Sequence, residues 1–95
     1  MANHTIRVGA NGGCNPDTQR IKLKTDTVEW QSESDQPCTV VFRGGGPFTK
    51  SNYNVPPRGK SEQARQRDNV GEGNYQYDVN VPGGPSADPA IDIRA

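Results

Sequence analysis

Apolar residues alternate with polar residues at a period of two along most of this chain. The alternation is clear in the stretches HTIRV, QRIKL, DTVEWQ, CTVVF, NYQYDVNV and AIDI. Successive residues of a β-strand point to opposite faces of a sheet, so each stretch presents one apolar stripe and one polar stripe. No segment shows a convincing helical stripe, with apolar residues three and four positions apart. The pattern therefore predicts short strands, each with one buried face.

Residues typical of turns separate these predicted strands. Gly, Pro, Asn and Asp are concentrated in GANGGCNPD, SESDQP, RGGGPFTKSNYNVPPRG and PGGPSADP. The stretch KSEQARQRD has a single apolar residue, Ala64, and we expect it to form an exposed edge strand. Short strands with regular turns and no helix predict an all-β fold, a two-sheet antiparallel Greek-key sandwich of about seven strands. We expect residues 1–95 to form a single domain.

The composition allows only a thin core. Fifteen of the 95 residues are Leu, Ile, Val or Phe, which is below the usual globular range. Low hydrophobicity together with a high net charge favours disorder, but the net charge of this chain is zero. Charge repulsion therefore does not oppose collapse, and the clustered apolar residues are sufficient for a small β core.

Nothing in the sequence indicates a membrane segment. No apolar run near the N-terminus has the length of a secretion signal, and no stretch approaches the roughly 18 apolar residues of a membrane span. We therefore expect no membrane partner. The compartment is left open: a cytoplasmic protein is expected if Met1 is native, and a periplasmic or secreted one if a signal has been removed.

Charge is distributed unevenly along the chain. Residues 43–67 have a net charge of +5, whereas residues 68–95 have a net charge of −4. The basic stretch suits either an anionic partner or a solvated surface that keeps the protein soluble. Nucleic-acid modules are usually basic as a whole, and this chain is neutral, so we do not expect a nucleic-acid partner.

Five stretches of the sequence follow one another in an order known from another group of proteins. They are TIRVGANGG, IKLKTDTVEWQ, QPCTVVF, PPRGKS and GEGNYQYDV. The order resembles the cupredoxin family, the plastocyanin-like Greek-key sandwiches that hold blue copper. In that family a strand ending V-x-W is followed by P-H-x-V-x-F, then by G-x-Y-x-Y-x-C and a loop with a second His and a Met. The resemblance covers nearly the whole chain and implies the same fold.

The copper ligands of the family have no counterparts in this sequence. The first His ligand falls on Cys38, the Cys ligand falls near Val79, and the closing VPGGPSADPA contains neither His nor Met. A type 1 copper site needs two imidazoles, a thiolate and usually a thioether, and this chain has one histidine, His4. We predict a cupredoxin-like domain without type 1 copper, with no catalytic residues, no metal site and no cofactor.

The resemblance brings Cys14 close to Cys38, because the loop after the first strand lies at the same end of the sandwich as the head of CTVVF. Three interpretations are open for this pair. A structural disulfide suits an exported protein and would contribute roughly 3–4 kcal/mol. Two reduced, buried thiols suit a cytosolic protein. A two-thiolate site for Cu(I) or Zn(II) is the third.

The long loops offer a candidate binding surface, since binding residues tend to lie on loops. The residues of this candidate surface are Arg43, Phe48, Lys50, Tyr53, Arg58 and Lys60. The two aromatic residues among them are either anchored inward or exposed for contact. We predict a non-catalytic, monomeric binding or interaction module whose partner is an unidentified protein or small ligand. The alternative is a Cu(I)-handling or thiol-redox protein that uses Cys14 and Cys38.

Overall fold

The computed structural model describes residues 2–9, 13–81 and 89–95. This part of the chain consists of strands, one 3₁₀ turn at Arg43–Gly45 and loops. The strands are β1 (Asn3–Val8), β2 (Cys14–Asn15), β3 (Thr18–Lys22), β4 (Thr27–Ser32), β5 (Cys38–Phe42), β6 (Asn52–Val55), β7 (Ala64–Arg65), β8 (Gly73–Asn80) and β9 (Ala90–Arg94). Within these ranges there is no helix with the length and apolar character needed to cross a membrane.

The strands form two sheets that enclose one core. Sheet I has the strand order β2-β1-β4-β7, and sheet II has the order β3-β9-β8-β5-β6. Buried apolar residues of both sheets belong to a single cluster, as expected for two sheets packed face to face. The prediction of an all-β, two-sheet sandwich is confirmed.

Two strand pairings are parallel, which corrects the prediction of a purely antiparallel sandwich. Strand β1 runs parallel to β4, with Ile6 opposite Trp30, and β3 runs parallel to β9, with Ile21 opposite Ile93. Parallel neighbours need a connection that returns through other elements, and β2 and β3 lie between β1 and β4 in the chain. Side chains alternate with the same period in both kinds of pair, so the sequence pattern did not distinguish them.

The described ranges contain nine strands, not about seven, because two of them are only two residues long. Strand β2 lies in a segment predicted as loop, where Cys14 and Asn15 pair with Val8 and Arg7. The edge strand predicted in KSEQARQRD is present but reduced to β7, which pairs with β4 at the edge of sheet I. Two paired residues are too few to produce a recognisable alternation.

The centre of the core is an aromatic cluster around Trp30, which is fully buried. Its ring centroid lies 5.3–6.3 Å from those of four other rings, which belong to Phe42, Phe48, Tyr53 and Tyr77. Three of these contacts are edge-on, the arrangement that the charge distribution of aromatic rings favours. A chain with few aliphatic residues thus fills the space between its sheets with large rings.

The turn after β5 passes close to the Phe42 side chain. Gly44 and Gly46 both have positive φ angles, of 65° and 68°. A Cβ atom added to Gly46 would lie 2.5 Å from the Cβ of Phe42, whereas one added to Gly44 would have nothing within 4 Å. Glycine at position 46 is therefore required both by the backbone conformation and by the neighbouring ring.

Candidate functional site

One end of the sandwich brings the two cysteines together, and we call it the thiol end. Strand β1 finishes there at Val8, which pairs with Cys14 on one side and with Ser32, the last residue of β4, on the other. The chain then turns and enters β5 at Cys38. A charge on Cys38 is close enough to raise the pKa of Cys14. The pairing of Cys14 with Cys38 stays a prediction.

Both cysteines are buried, with 6% of Cys14 and 4% of Cys38 exposed. In the structure each is a free thiol. The disulfide between them stays a prediction, because the structure brings the two residues together without joining them. Their burial favours a role inside the core, since the solvent and its reagents have little access to either sulfur.

A chain of hydrogen bonds connects Cys14 to the aromatic cluster. The indole Nε1–H of Trp30 donates to the Tyr77 hydroxyl at 3.2 Å, and the same hydroxyl hydrogen-bonds the Cys14 thiol. Sequence reasoning missed this link. The available signal was that a tyrosine on the buried face of a strand needs a polar partner for its hydroxyl, and a cysteine is one of few polar groups near this core.

Burial keeps the groups of the thiol end in their neutral forms. It raises the pKa of the Cys14 thiol to about 11, and it also raises the pKa of Cys38. The pKa of Tyr77 is raised well above its usual value, first by burial and then by the charge of Cys14. The thiolate is the nucleophile and the metal ligand, so burial disfavours the reactive form of both cysteines.

The side chains of the thiol end do not match the donor set of a type 1 copper site. Cys38 stands at the position of the first His ligand, and Val79, near the Cys position, is fully buried opposite Val40. The loop that carries the remaining ligands in the family falls mainly on residues 82–88, outside the described ranges. In the ranges that are described, no group of three or more His, Cys, Asp or Glu side chains is placed to hold a metal ion.

His4 lies at the other end of the sandwich, which we call the basal end. It is near the beginning of β1, four residues before Val8, and this corresponds to roughly 13 Å along a strand. Its Nε2 lies 2.9 Å from Oδ2 of Asp26, and its Nδ1 lies 3.3 Å from the side-chain amide of Gln19. The one imidazole of this chain is therefore remote from both cysteines.

Asp26 accepts several hydrogen bonds at the basal end. Besides the contact with His4, it accepts from the backbone N–H groups of Lys22 and Ala2, at 3.0 Å and 3.1 Å, and from the Thr25 hydroxyl at 3.2 Å. These donors, with His4 first, hold the pKa of the carboxyl well below its usual range. Asp26 thus fastens the start of β1 to the turn between β3 and β4.

Acid is expected to weaken the domain through Asp26. Its pKa is lower in the folded chain than the value of about 3.9 in an unfolded chain, so its contribution is complete above that value and is lost as the pH falls further. Asp26→Asn should lower the free energy of unfolding at pH 7 and flatten its decline between pH 4 and pH 2. Urea unfolding across this range measures both effects. Asp68→Asn, at an exposed carboxylate, is the control, and equal slopes in Asp26→Asn and wild type would contradict the assignment.

The structure contradicts the candidate binding surface for its two aromatic residues. Phe48 is 1% exposed and Tyr53 is 3% exposed, and both contact Trp30. Of the two alternatives that the sequence left open, inward anchoring is the one observed. The physical reason is the shortage of aliphatic residues, because the core recruits aromatic rings from the long loop and from edge strand β6.

The basic residues of the candidate surface are exposed, but they do not form one patch. Each is paired with an acid: Arg43 with Asp78 at 2.7 Å, Lys50 with Glu62 at 2.6 Å, Arg58 with Asp35 at 2.5 Å, and Lys60 with Glu29 at 3.0 Å. Arg43 directly follows Phe42, the last residue of β5. Asp35, the partner of Arg58, lies before Cys38, the first residue of β5, so these two ion pairs are at opposite ends of the strand. A binding role for these four residues stays a prediction.

Comparisons with known proteins identify the fold. No family model matches the chain, and no curated protein matches it in sequence. Among solved structures, the chain is similar to auracyanin A, a blue copper protein of the green thermophilic photosynthetic bacterium Chloroflexus aurantiacus. The match has a TM-score of 0.64 and 15% identity, and it covers 97% of this chain and 99% of auracyanin A.

Two methionine variants of amicyanin, both described as Cu(I) forms, are also similar. Their TM-scores are 0.62 and 0.61 at 18% and 17% identity, and each match covers 95% of this chain and 82% of amicyanin. Identities this low are informative about the fold alone. The agreement over nearly the full length, together with the two-sheet topology, shows that this chain has the cupredoxin fold.

Proposed function

We propose that this chain is a non-catalytic cupredoxin-like domain without type 1 copper, and that it acts as a binding or interaction module. The observation that carries the proposal is the state of Cys38. It occupies the position of the family's first His ligand, is 4% exposed, and belongs to the hydrophobic core. A buried thiol thus stands where the family has an imidazole, which leaves the donor set of type 1 copper incomplete.

The position of His4 supports the copper-free assignment. Blue-copper chemistry needs two imidazoles beside a thiolate. The one imidazole of this chain lies at the basal end, against Asp26, and a folded monomer cannot bring it to Cys38. The domain keeps the scaffold and replaces the metal centre with apolar packing.

The protonation of the thiols supports a non-catalytic role. Nucleophilic catalysis needs an activated group beside a base, and burial raises the pKa of both thiols here. We expect a scaffold of this kind to bind a protein or small ligand through its exposed loops and strand ends.

Copper titration tests the proposal. Adding Cu(II) to the reduced protein is expected to produce no intense absorption near 600 nm, the band typical of type 1 copper. Auracyanin A, described as a blue copper protein, serves as the positive control in the same buffer. An intense band with one copper ion per chain by metal analysis would refute the proposal.

Cu(I) or thiol-redox chemistry is a second candidate, favoured by the closeness of the two thiols. It predicts one tightly held Cu(I) per reduced chain, or an easily reduced disulfide, and either property should be lost in Cys38→Ser. Our proposal predicts no stoichiometric Cu(I) in competition with a Cu(I) chelator. Counting free thiols in denaturant, with and without reductant, decides in parallel whether the purified protein contains the disulfide.

A further inference from the structure

The basal end contains a cavity that neither the copper chemistry nor the candidate binding surface explains. It has a volume of about 390 Å³, within the range of roughly 300–1,000 Å³ that is typical of small-molecule sites. We call it the basal cavity, and its main lining residues are Lys24, Thr25, Asp26, Gln63, Arg65 and Gln66. The β3–β4 turn forms one wall, and β7 with its flanking residues forms the other.

A hydrogen-bonded clamp holds the two walls in a fixed relation. The side-chain oxygen of Gln66 accepts from the backbone N–H of Lys24 at 2.7 Å, and its amide nitrogen donates to the carbonyls of Lys22 and Asp26, each at 2.9 Å. The backbone of Gln66 is itself bridged to Phe48, which is buried in the core. The cavity is therefore preformed, which reduces the entropy lost when a ligand binds.

Lys24 adopts a backbone conformation that is uncommon for its residue type. Its φ angle is 65°, in the left-handed region that favours glycine. Such conformations cost energy and persist where the surrounding structure imposes them, and here the clamp by Gln66 does so. The strained residue is one of the two cationic residues that line the cavity.

The acid in the cavity is already satisfied by other groups. Asp26 is the one acidic residue among the described lining residues. It accepts hydrogen bonds from two backbone N–H groups and from the Thr25 hydroxyl, and it contacts His4. Its negative charge is thus directed into the protein and is not paired with Lys24 or Arg65.

Lys24 and Arg65 have no ion pair in the part of the chain that the structure describes. Lys22, two residues before Lys24, and Arg67, two residues after Arg65, also have no ion pair in the described ranges. Six other Lys and Arg side chains of the described ranges do have carboxylate partners, namely Arg20, Arg43, Lys50, Arg58, Lys60 and Arg94. Uncompensated positive charge is therefore concentrated at the basal end, where it attracts anions.

We propose that the basal cavity binds a small organic anion that bears a carboxylate or phosphate group. The Arg65 guanidinium and the Lys24 ammonium would contact the charged group, because both form short, charge-assisted hydrogen bonds with such oxygens. The Gln63 amide, which makes no hydrogen bond within the described ranges, is available to a polar part of the ligand. The inference rests on the proposed role as a binding module and names the class of ligand.

The test is a titration of the ¹⁵N-labelled protein followed by ¹H–¹⁵N NMR, with inorganic phosphate and succinate as separate probes. Ionic strength is held constant with NaCl, since added salt alone screens charges. Saturable shifts are expected at the amides of Lys24, Arg65 and Gln66 with at least one probe, and the stronger probe identifies the preferred head group. Shifts that do not saturate, or that spread over all basic residues, overturn the proposal.

Charge variants make the test specific. The double variant Lys24→Gln and Arg65→Gln is expected to weaken binding by about tenfold or more, since a hydrogen bond to a charged group contributes roughly that factor. Arg7→Gln is the matched control, because Arg7 is exposed, has no ion pair in the described ranges and pairs with Asn15 of β2 towards the thiol end. Equal weakening in the control overturns the proposal, as does binding of a single-stranded oligonucleotide without binding of either small probe.

The copper titration and the anion titration fail independently. A blue copper band would refute the proposed function and would leave the NMR result at the basal end unaffected. Absence of anion binding would overturn this inference and would leave the copper-free assignment intact.

Discussion

Replacing Trp30 with alanine is expected to lower the free energy of unfolding by about 3–5 kcal/mol. Trp30 is fully buried, contacts four aromatic rings and donates a hydrogen bond to Tyr77. Alanine would leave a cavity between the sheets where a core of few aliphatic residues has nothing to fill it. The total stability of a small domain is about 5–15 kcal/mol, so this loss is a large part of it.

Urea unfolding followed by circular dichroism measures the effect. Trp30 is the single tryptophan of the chain, so intrinsic fluorescence cannot be compared between the variants. Trp30→Phe keeps a ring in the cluster and removes the Nε1–H, and we expect a smaller loss than for alanine. This second variant keeps the test informative if Trp30→Ala does not fold. A loss below about 1 kcal/mol for Trp30→Ala would contradict the central role of the cluster.

Gly46→Ala is also expected to have a large effect, a loss of about 2–6 kcal/mol. A residue with a Cβ in the backbone conformation of Gly46, with φ 68° and ψ −175°, costs about 1–3 kcal/mol, and forcing atoms into a packed site costs about 1–3 kcal/mol more. At position 46 both costs apply, because φ is 68° and the new Cβ would lie 2.5 Å from the Cβ of Phe42. That neighbouring atom is near the backbone of β5 and cannot move aside easily.

Gly44→Ala is a control that has a backbone cost without the contact. Gly44 has φ 65° and ψ 23°, in the left-handed helical region, and a Cβ at position 44 meets nothing within 4 Å. We therefore expect the backbone cost alone, about 1–2 kcal/mol, when both variants are unfolded in urea under the same conditions. A loss for Gly46→Ala no larger than that for Gly44→Ala would contradict the additional cost expected at position 46.

The two ends of the molecule have different chemistry, and this difference guides the functional proposals. At the thiol end, Cys14 and Cys38 are buried, their pKa values are raised, and both belong to the hydrophobic core. At the basal end, Lys24 and Arg65 line a preformed cavity without ion pairs in the described ranges. Anion binding is therefore proposed at the basal end, away from the two cysteines.

The candidate site was only partly predictable. The family resemblance led us to expect Cys14 and Cys38 to be neighbours, and their pairing stays a prediction. It placed Phe48 and Tyr53 on a binding surface, although the structure buries both. Hydrophobicity alone does not tell whether a loop aromatic covers the core or contacts a partner, because that depends on how much space the rest of the core leaves unfilled.

The alternation of apolar and polar residues determined the strands and their buried faces, because the side-chain period of a strand is a local property. It was sufficient for Ile6, Trp30, Val40 and Tyr77, all of which lie in the core. Strand order, the parallel pairing of β1 with β4, and the meeting of Lys24 with Arg65 at one cavity were decided by the tertiary structure. These features join residues that are far apart in the chain. The free energy of such contacts depends on how the two sheets fit together, and no local pattern in the sequence predicts that fit.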